Sequence, residues 1–469
     1  MYTPQYRLID ISIDMPGIFA AFLDLPYPVL LDSPQSGNTP ARYSYLSADP
    51  FMVVRSKGQR VWVEERGEIS VVEGSPFDVL RDLLGRYGLA RVASLPPFQG
   101  GAIGYLAYEL AHHLELLPCA AEDNLGLPEL NIAFYDWVVA QDGTTGKTWA
   151  IATGLPDGCE AGALDRLDWI EERLGQPIPV ASTPKPAVGA SRVTSNFTKD
   201  AYLQAVRTVK DYIAAGDVYQ VNISQRFEAD ITGDPWELYR RLRHVNPSPF
   251  SAYLGFPEVS VLSASPEEFL NLEDGLLRTR PMKGTRPRGV SASEDRKVAS
   301  ELLASEKDRA ENVMIVDLMR NDLGRVCVPG SIAVPELFAI EEYPTVYQMV
   351  STVTGQTRVG VGPVEVLEAC FPGGSVTGAP KIRAMEIINE IEPVQRSVYC
   401  GAIGYIGFDR SMLMSVPIRN ILVTDNRAYV QVGGGIVADS DPDAEYRESL
   451  DKAAGSLMAL DAKIRELDL

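Results

Sequence analysis

GAIGYIGF (401–408), LMSVPIRNI (413–421) and RAYVQV (427–432) follow one another as three β-like runs, and DPDAEYRESLDKA, from 441, predicts a closing helix that starts near 442. Upstream, strands are expected around 219–229 and 252–263. Helices are expected over 292–323, 363–371 and 379–391. Strands and helices come in blocks, not in strict βαβ alternation, which points to an α+β fold. The segment opens with KDAYLQAVRTVKDYIAAG (199–216), a long helix that Thr198 would cap and Gly216 would end.

The first 175 residues have a different texture. MVVRSKGQRVWVEERGEISVVEG (52–74) alternates between turn signals, as an antiparallel meander does. PPFQGGAIGYLAYELAHHLE (96–115) runs from a glycine-rich turn into a helical pattern. LDRLDWIEERLG (164–175) is an amphipathic helix stopped by Gly175 and Pro177. PIPVASTPKPAVGASR (177–192) has almost no bulky apolar residues and reads as an exposed connector. The chain therefore divides into an N-terminal region 1–176, a connector 177–195 and a C-terminal region 196–469.

Composition narrows the function. The 469 residues are 45% hydrophobic and 23% charged, with formal net charge -20. No global positive field exists to attract nucleic acid or an acidic membrane, so an anionic ligand needs local cations, metal or helix ends. No run of about 18 apolar residues occurs. MYTPQYRLIDISID lacks the basic and apolar regions of a signal peptide, and the five scattered cysteines fit reduced thiols, so a cytoplasmic location is expected. The histidines, His112, His113 and His244, do not suggest a zinc site.

Lys283 lies in TRPMKGTRPRG (279–289), a knot of four cations in this acidic chain. Pro281 and Gly284 would hold it on a fixed turn, and burial beside other cations favours the neutral, nucleophilic amine; the alternative is a basic surface loop. Glu267 precedes it by sixteen positions with two β-like runs between. A hairpin would bring them together as acid/base and nucleophile, unless Glu267 is an exposed turn acid. Asp308 and Glu311 share a helix face at i,i+3, as do Glu445 and Glu448. Facing one another, these pairs make an oxygen site for a hard cation, Mg²⁺ before zinc; singly, each is the wet face of a helix. FPGGSVTGAPK (371–381) opens a helix as an anion site or a simple cap. It is not a Walker loop, because Ala379 and Pro380 follow Gly378. Gly433, Gly434 and Gly435, read at a strand end, need a ligand or another chain to come close, and Arg419 and Lys452 either hold carboxylates or pair with local acids.

Together these motifs, with GDVYQVNISQRF, NPSPFSAYL and SASPEEFL, resemble the chorismate-utilising enzymes over nearly all of 197–469. LLDSP, ARYSYL and PFQGGAIGYLAYEL extend the resemblance into the N-terminal half. It implies the fold of the anthranilate synthase component I type: two antiparallel sheets face to face, helices outside and the site in the cleft between. The connector is then a surface excursion. Lysine at 283, where anthranilate synthases usually carry alanine, resembles the branch that makes aminodeoxychorismate from chorismate and ammonia. In that branch Lys283 attacks C2 as the C4 hydroxyl leaves, and ammonia then attacks C4 and expels the lysine. The resemblance makes Glu267 the general acid/base, Glu311 and Glu448 direct Mg²⁺ ligands, and Asp308 and Glu445 holders of metal-bound water. Ser375, Thr377, Tyr405, Arg419, Gly433, Gly434, Gly435 and Lys452 fall where relatives contact substrate. Ser33, Arg42, Tyr43, Ser44, Pro249, Phe250 and Ser251 match a tryptophan pocket.

Gln348 stands where anthranilate synthases carry a histidine tied to pyruvate elimination, and a glutamine cannot shuttle that proton. This fits a product that keeps its enolpyruvyl group. Isochorismate-forming relatives place a lysine base near 219–223, where this chain has Gln220 and Asn222. With no glutaminase motif present, ammonia from glutamine requires a separate amidotransferase subunit. Anthranilate synthase and a non-catalytic tryptophan-binding subunit remain the competing expectations.

Overall fold

The computed structural model describes residues 2–34, 41–176, 193–343 and 346–462. Among them, strands form two sheets of twelve, with antiparallel pairing throughout both. Each sheet takes strands from both sides of the connector. Phe250–Gly255 pairs with Val29–Asp32 in the first sheet, and Ala402–Gly407 pairs with Gly101–Leu106 in the second. The sequence division is therefore not a division of the fold. Residues 177–192 lie outside the described residues, and Thr194–Ser195, counted with the connector, adds a short strand against Glu228 and Phe227.

The inner faces of the sheets meet in an apolar layer that includes Tyr45, Val138, Leu254 and Leu422 from the first sheet and Val53, Tyr105, Ile403 and Tyr405 from the second. Helices Glu160–Leu174 and Pro235–Val245 cover the outer face of the first sheet, and Pro76–Gly85 and Pro363–Cys370 that of the second. This is the expected α+β arrangement, and the meander appears as Met52–Lys57, Arg60–Glu65 and Glu68–Glu73. Thr198 caps Lys199–Ala215 by accepting from the Ala201 N–H, and Gly216 ends it at φ 87°.

Three expectations change. Residues 101–106 form a buried strand where a helical pattern was read, and only a 3₁₀ turn, Tyr108–His113, follows. Burial on both faces removed the period-2 signal that marks a strand. The helical stretch 292–323 is two helices, Ala292–Ala304 and Glu306–Gly324, because Ser305 ends one and caps the other. Gly433, Gly434 and Gly435 lie inside the strand Arg427–Ile436, opposite Ser224, Ile223 and Asn222. A Cβ on Gly433 would fall 2.4 Å from the Ile223 carbonyl oxygen, so the close neighbour is the adjacent strand.

Candidate active site

The chain crosses between the sheets twice at one place. Ser260–Ser265 lies in the first sheet and Glu268–Glu273 in the second, leaving Glu267 at the crossing. The return crossing runs from Met412–Ser415 to Asn420–Thr424 and carries Arg419. The two crossings are tied together: the Val416 N–H donates to the Glu267 carbonyl (3.1 Å) and the Ala264 N–H to the Arg419 carbonyl (3.2 Å). The hairpin Glu268–Glu273/Leu276–Thr279 then delivers Met282–Pro287, as the spacing of Glu267 and Lys283 predicts. Between Met282 and Thr285 the register shifts against Val346–Gln356, and Gly284 takes φ +82°. A bulge with a left-handed glycine re-aims the residue beside it. Lys283 is that residue.

Glu267 is buried, accepts a 2.5 Å hydrogen bond from Ser375 Oγ and also accepts the Met282 N–H. Desolvation pushes its carboxyl up to about 7 against Ser375, Lys283 and Arg419, which favour the anion. Desolvation is also the largest influence on Lys283. It lowers the ammonium, and nearby Lys452 acts in the same direction, opposed by Glu311, Glu267 and Glu448. Acid and amine are thus drawn toward neutral pH from opposite sides, an arrangement suited to proton transfer and nucleophilic attack. Arg419 sits at φ 55° and, among the described residues, its guanidinium makes no side-chain hydrogen bond or ion pair. Burial lowers its pKa against the pull of Tyr343 and Glu267. A desolvated guanidinium without a partner is suited to a carboxylate ligand.

Asp308 and Glu311 stand on the helix Glu306–Gly324, Glu445 and Glu448 on Pro442–Ala459. The helices flank Lys283, and Glu311 and Glu448 feel each other's charge. Among the described residues no three Asp, Glu, His or Cys side chains close into a metal-holding cluster. Three of them have a partner of their own. Arg286 binds Asp308 at 2.6 Å, Lys452 binds Glu448 at 2.8 Å, and Ser440 Oγ donates to Glu445 at 2.6 Å. Desolvation raises both Glu311 and Glu445. Burial also opposes charge on Glu448, but Lys452 with Lys283 and Lys307 favours it and the net shift is downward. The all-oxygen donor set fits a hard cation. Lys452 also donates to the Gly433 carbonyl (2.9 Å), and a Cβ on Gly434 would stand 3.3 Å from Glu445 Oε2.

The glycine-rich loop closes the cleft from below. Thr377 is fully buried and its hydroxyl braces the loop through the Gly373 carbonyl (3.1 Å). Asn222 donates from Nδ2 to the Ser375 carbonyl and from its backbone to the Thr377 carbonyl, 2.8 Å each. A Cβ on Gly435 would lie 2.5 Å from Gln220 Nε2 and 2.8 Å from Asn222 Oδ1. Gln220 and Asn222 therefore line the site. Their only sequence signal was the lysine that other relatives carry there. Gln348 lies opposite Thr285 and Glu341, buried, with Oε1 unpartnered.

Strand alternation turns Tyr405 with Ile403 into the layer between the sheets, its ring 4.6 Å from Phe98 and 5.6 Å from Tyr45. There it lines an apolar cavity with Tyr43, Tyr45, Pro249, Phe250 and Ser251, four of which had been assigned to a tryptophan pocket. Ser33 and Ser44 join at its edge, the Ser33 N–H donating to Ser44 Oγ (2.9 Å) and Ser44 Oγ to Asp32 (3.3 Å). Arg42 is engaged by Asp142 at 2.5 Å.

The sequence pattern of the chorismate binding enzymes matches residues 40–458, and the chain belongs to that family. It is 41% identical to aminodeoxychorismate synthase component 1 of Salmonella typhimurium over 92% of this chain and 93% of that one. It is 39% identical to anthranilate synthase component 1 of Acetivibrio thermocellus over 97% and 96%. The crystal structure of anthranilate synthase component I from Streptococcus pneumoniae superposes with TM-score 0.80 at 32% identity, over 89% of this chain and 93% of that one. Among the described residues no helix is long and apolar enough to cross a membrane.

Proposed function

We propose that this enzyme acts as an aminodeoxychorismate synthase component I, converting chorismate and ammonia to 4-amino-4-deoxychorismate. The observation that carries the proposal is the bulge that presents Lys283, with its lowered pKa, to the same cleft as Glu267. Lys283 Nζ forms a bond to C2 as both ring double bonds shift and the C4 hydroxyl leaves, and Glu267 supplies the proton to that oxygen. Ammonia then bonds to C4 and gives a proton back to Glu267, both double bonds shift back and Lys283 departs from C2. Arg419 takes a substrate carboxylate, and Gly434 leaves open the space beside Glu445, Glu448 and Lys452. Glu311 and Glu448 would hold Mg²⁺, with Asp308 and Glu445 behind them; the ion supplies positive charge for a substrate carboxylate. With no glutaminase motif in the chain, ammonia from glutamine requires a partner amidotransferase.

Incubation with chorismate, Mg²⁺ and ammonium chloride, followed by mass spectrometry, tests the reading. Aminodeoxychorismate supports it. Anthranilate with pyruvate establishes the second reading, anthranilate synthase, which the 39% identity to a relative of that name favours. The cavity beneath Tyr405 is proposed to take tryptophan; absence of any melting shift with saturating tryptophan would remove that part.

A further inference from the structure

The residues that touch the reacting groups rest on a second layer that neither the motifs nor the family roles assign. Arg396 is buried, as is Glu392, and the two meet at 2.7 and 2.9 Å. The remaining guanidinium hydrogen bonds go to two main-chain carbonyls: NH1 donates to Val376 and NH2 to Asn222, each at 2.9 Å. Val376 follows Ser375 in the glycine-rich loop. Asn222, on the strand Gln220–Asp230, holds the Ser375 and Thr377 carbonyls. Glu392 is itself fixed by the Ser224 N–H (2.8 Å) and Oγ (2.9 Å) on that strand. Hydrogen bonds from the ion pair therefore fix the loop main chain at Val376 and, through Asn222, at Ser375, whose Oγ donates to Glu267.

We infer that Arg396, locked to Glu392, is a positioning residue for the reaction: it sets the glycine-rich loop so that Ser375 meets the Glu267 carboxylate. The inference rests on Glu267 being the acid/base of the proposed function. The charged and titratable groups around Glu267 are Lys283, Arg419 and Cys400; those around Arg396 are Glu392, Tyr108 and Cys400, with Glu109 accepting the Arg396 N–H at 2.7 Å. A planar fork is needed to reach two carbonyls and a carboxylate at once, and lysine keeps the charge without the fork.

The test is the pH profile of kcat/KM for chorismate amination with ammonium salts, for wild type, Ser375→Ala, Arg396→Lys and the double variant, each checked for folding by thermal melting. Loss of the Ser375 hydrogen bond removes support for the carboxylate, so the Glu267 inflection in Ser375→Ala moves upward by roughly half to one pH unit. Arg396→Lys is expected to move it the same way and lower kcat about tenfold. The double variant should move it no further than Ser375→Ala, because both act through one contact. A shift in Ser375→Ala with none in folded Arg396→Lys overturns the inference and leaves the Glu267 reading standing. Additive shifts also overturn it. If neither variant moves the inflection, it does not belong to Glu267, and both fall.

Discussion

Glu392 and Arg396 stand four residues apart and meet at 2.7 Å; Glu448 and Lys452 stand four residues apart and meet at 2.8 Å. The first pair is 3% and 2% exposed, the second 56% and 39%. In the first pair the oxygens and guanidinium nitrogens are engaged by main-chain groups and Ser224. In the second, Lys452 also reaches the Gly433 carbonyl, while the carboxylate stays free to exchange its partner. Spacing alone does not distinguish scaffold from working site. Desolvation does: a buried pair cannot lose one member cheaply, whereas a hydrated pair can trade its partner for a metal or a substrate.

Four substitutions break or sharpen this contrast. Lys283→Ala removes the proposed nucleophile from the open side of the cleft. Amination of chorismate should drop by roughly three orders of magnitude with the melting curve nearly unchanged, measured by product formation and circular dichroism. Glu392→Ala does the reverse: it strands Arg396 as a buried charge and should cost about 3–5 kcal/mol in denaturant unfolding. A loss under about 1 kcal/mol would show that water enters this pair as it does the other.

Glu267→Gln tests burial through pH. The folded enzyme holds the Glu267 proton more tightly than the unfolded chain, whose carboxyl titrates near its ordinary value of 4.5. The stability this proton contributes is present below that value and is lost as pH rises through about 7. Glutamine cannot ionise, so the variant should melt closer to wild type, or above it, at pH 8 than at pH 5. Glu109, also pushed to about 7 by burial, titrates in the same window in both proteins and cancels from the comparison. The smallest effect is expected at Lys452→Gln, where the exposed pair contributes about 0.2–1 kcal/mol to stability. A larger loss in chemical denaturation would place Lys452 with the scaffold.

Much of this was legible before any coordinates. The lysine between Pro281 and Gly284 is local chemistry, and so are Thr198 as a cap, the meander of 52–74 and the i,i+3 carboxylate pairs. Each depends on neighbours within a few residues, where proline, glycine and helical period act directly. At Tyr405 the motif names a residue without saying which face of its strand it takes; pairing with Ile103 and Leu413 decides that. The strand 101–106 was missed because burial on both faces erased its alternation.

Arg396 and Glu392 had no signal at all, since their partners, Val376, Asn222 and Ser224, lie up to 174 positions away. Residue types alone determined that the chain is an acidic α+β protein with an amine, an acid/base and two carboxylate pairs. Only the tertiary structure decided that two crossings between sheets bring Glu267 and Arg419 beside a bulged Lys283, and that Arg286 and Lys452 each neutralise a carboxylate of one pair. Local sterics and periodicity act along the chain, whereas desolvation and charge coupling depend on what the folded chain sets side by side.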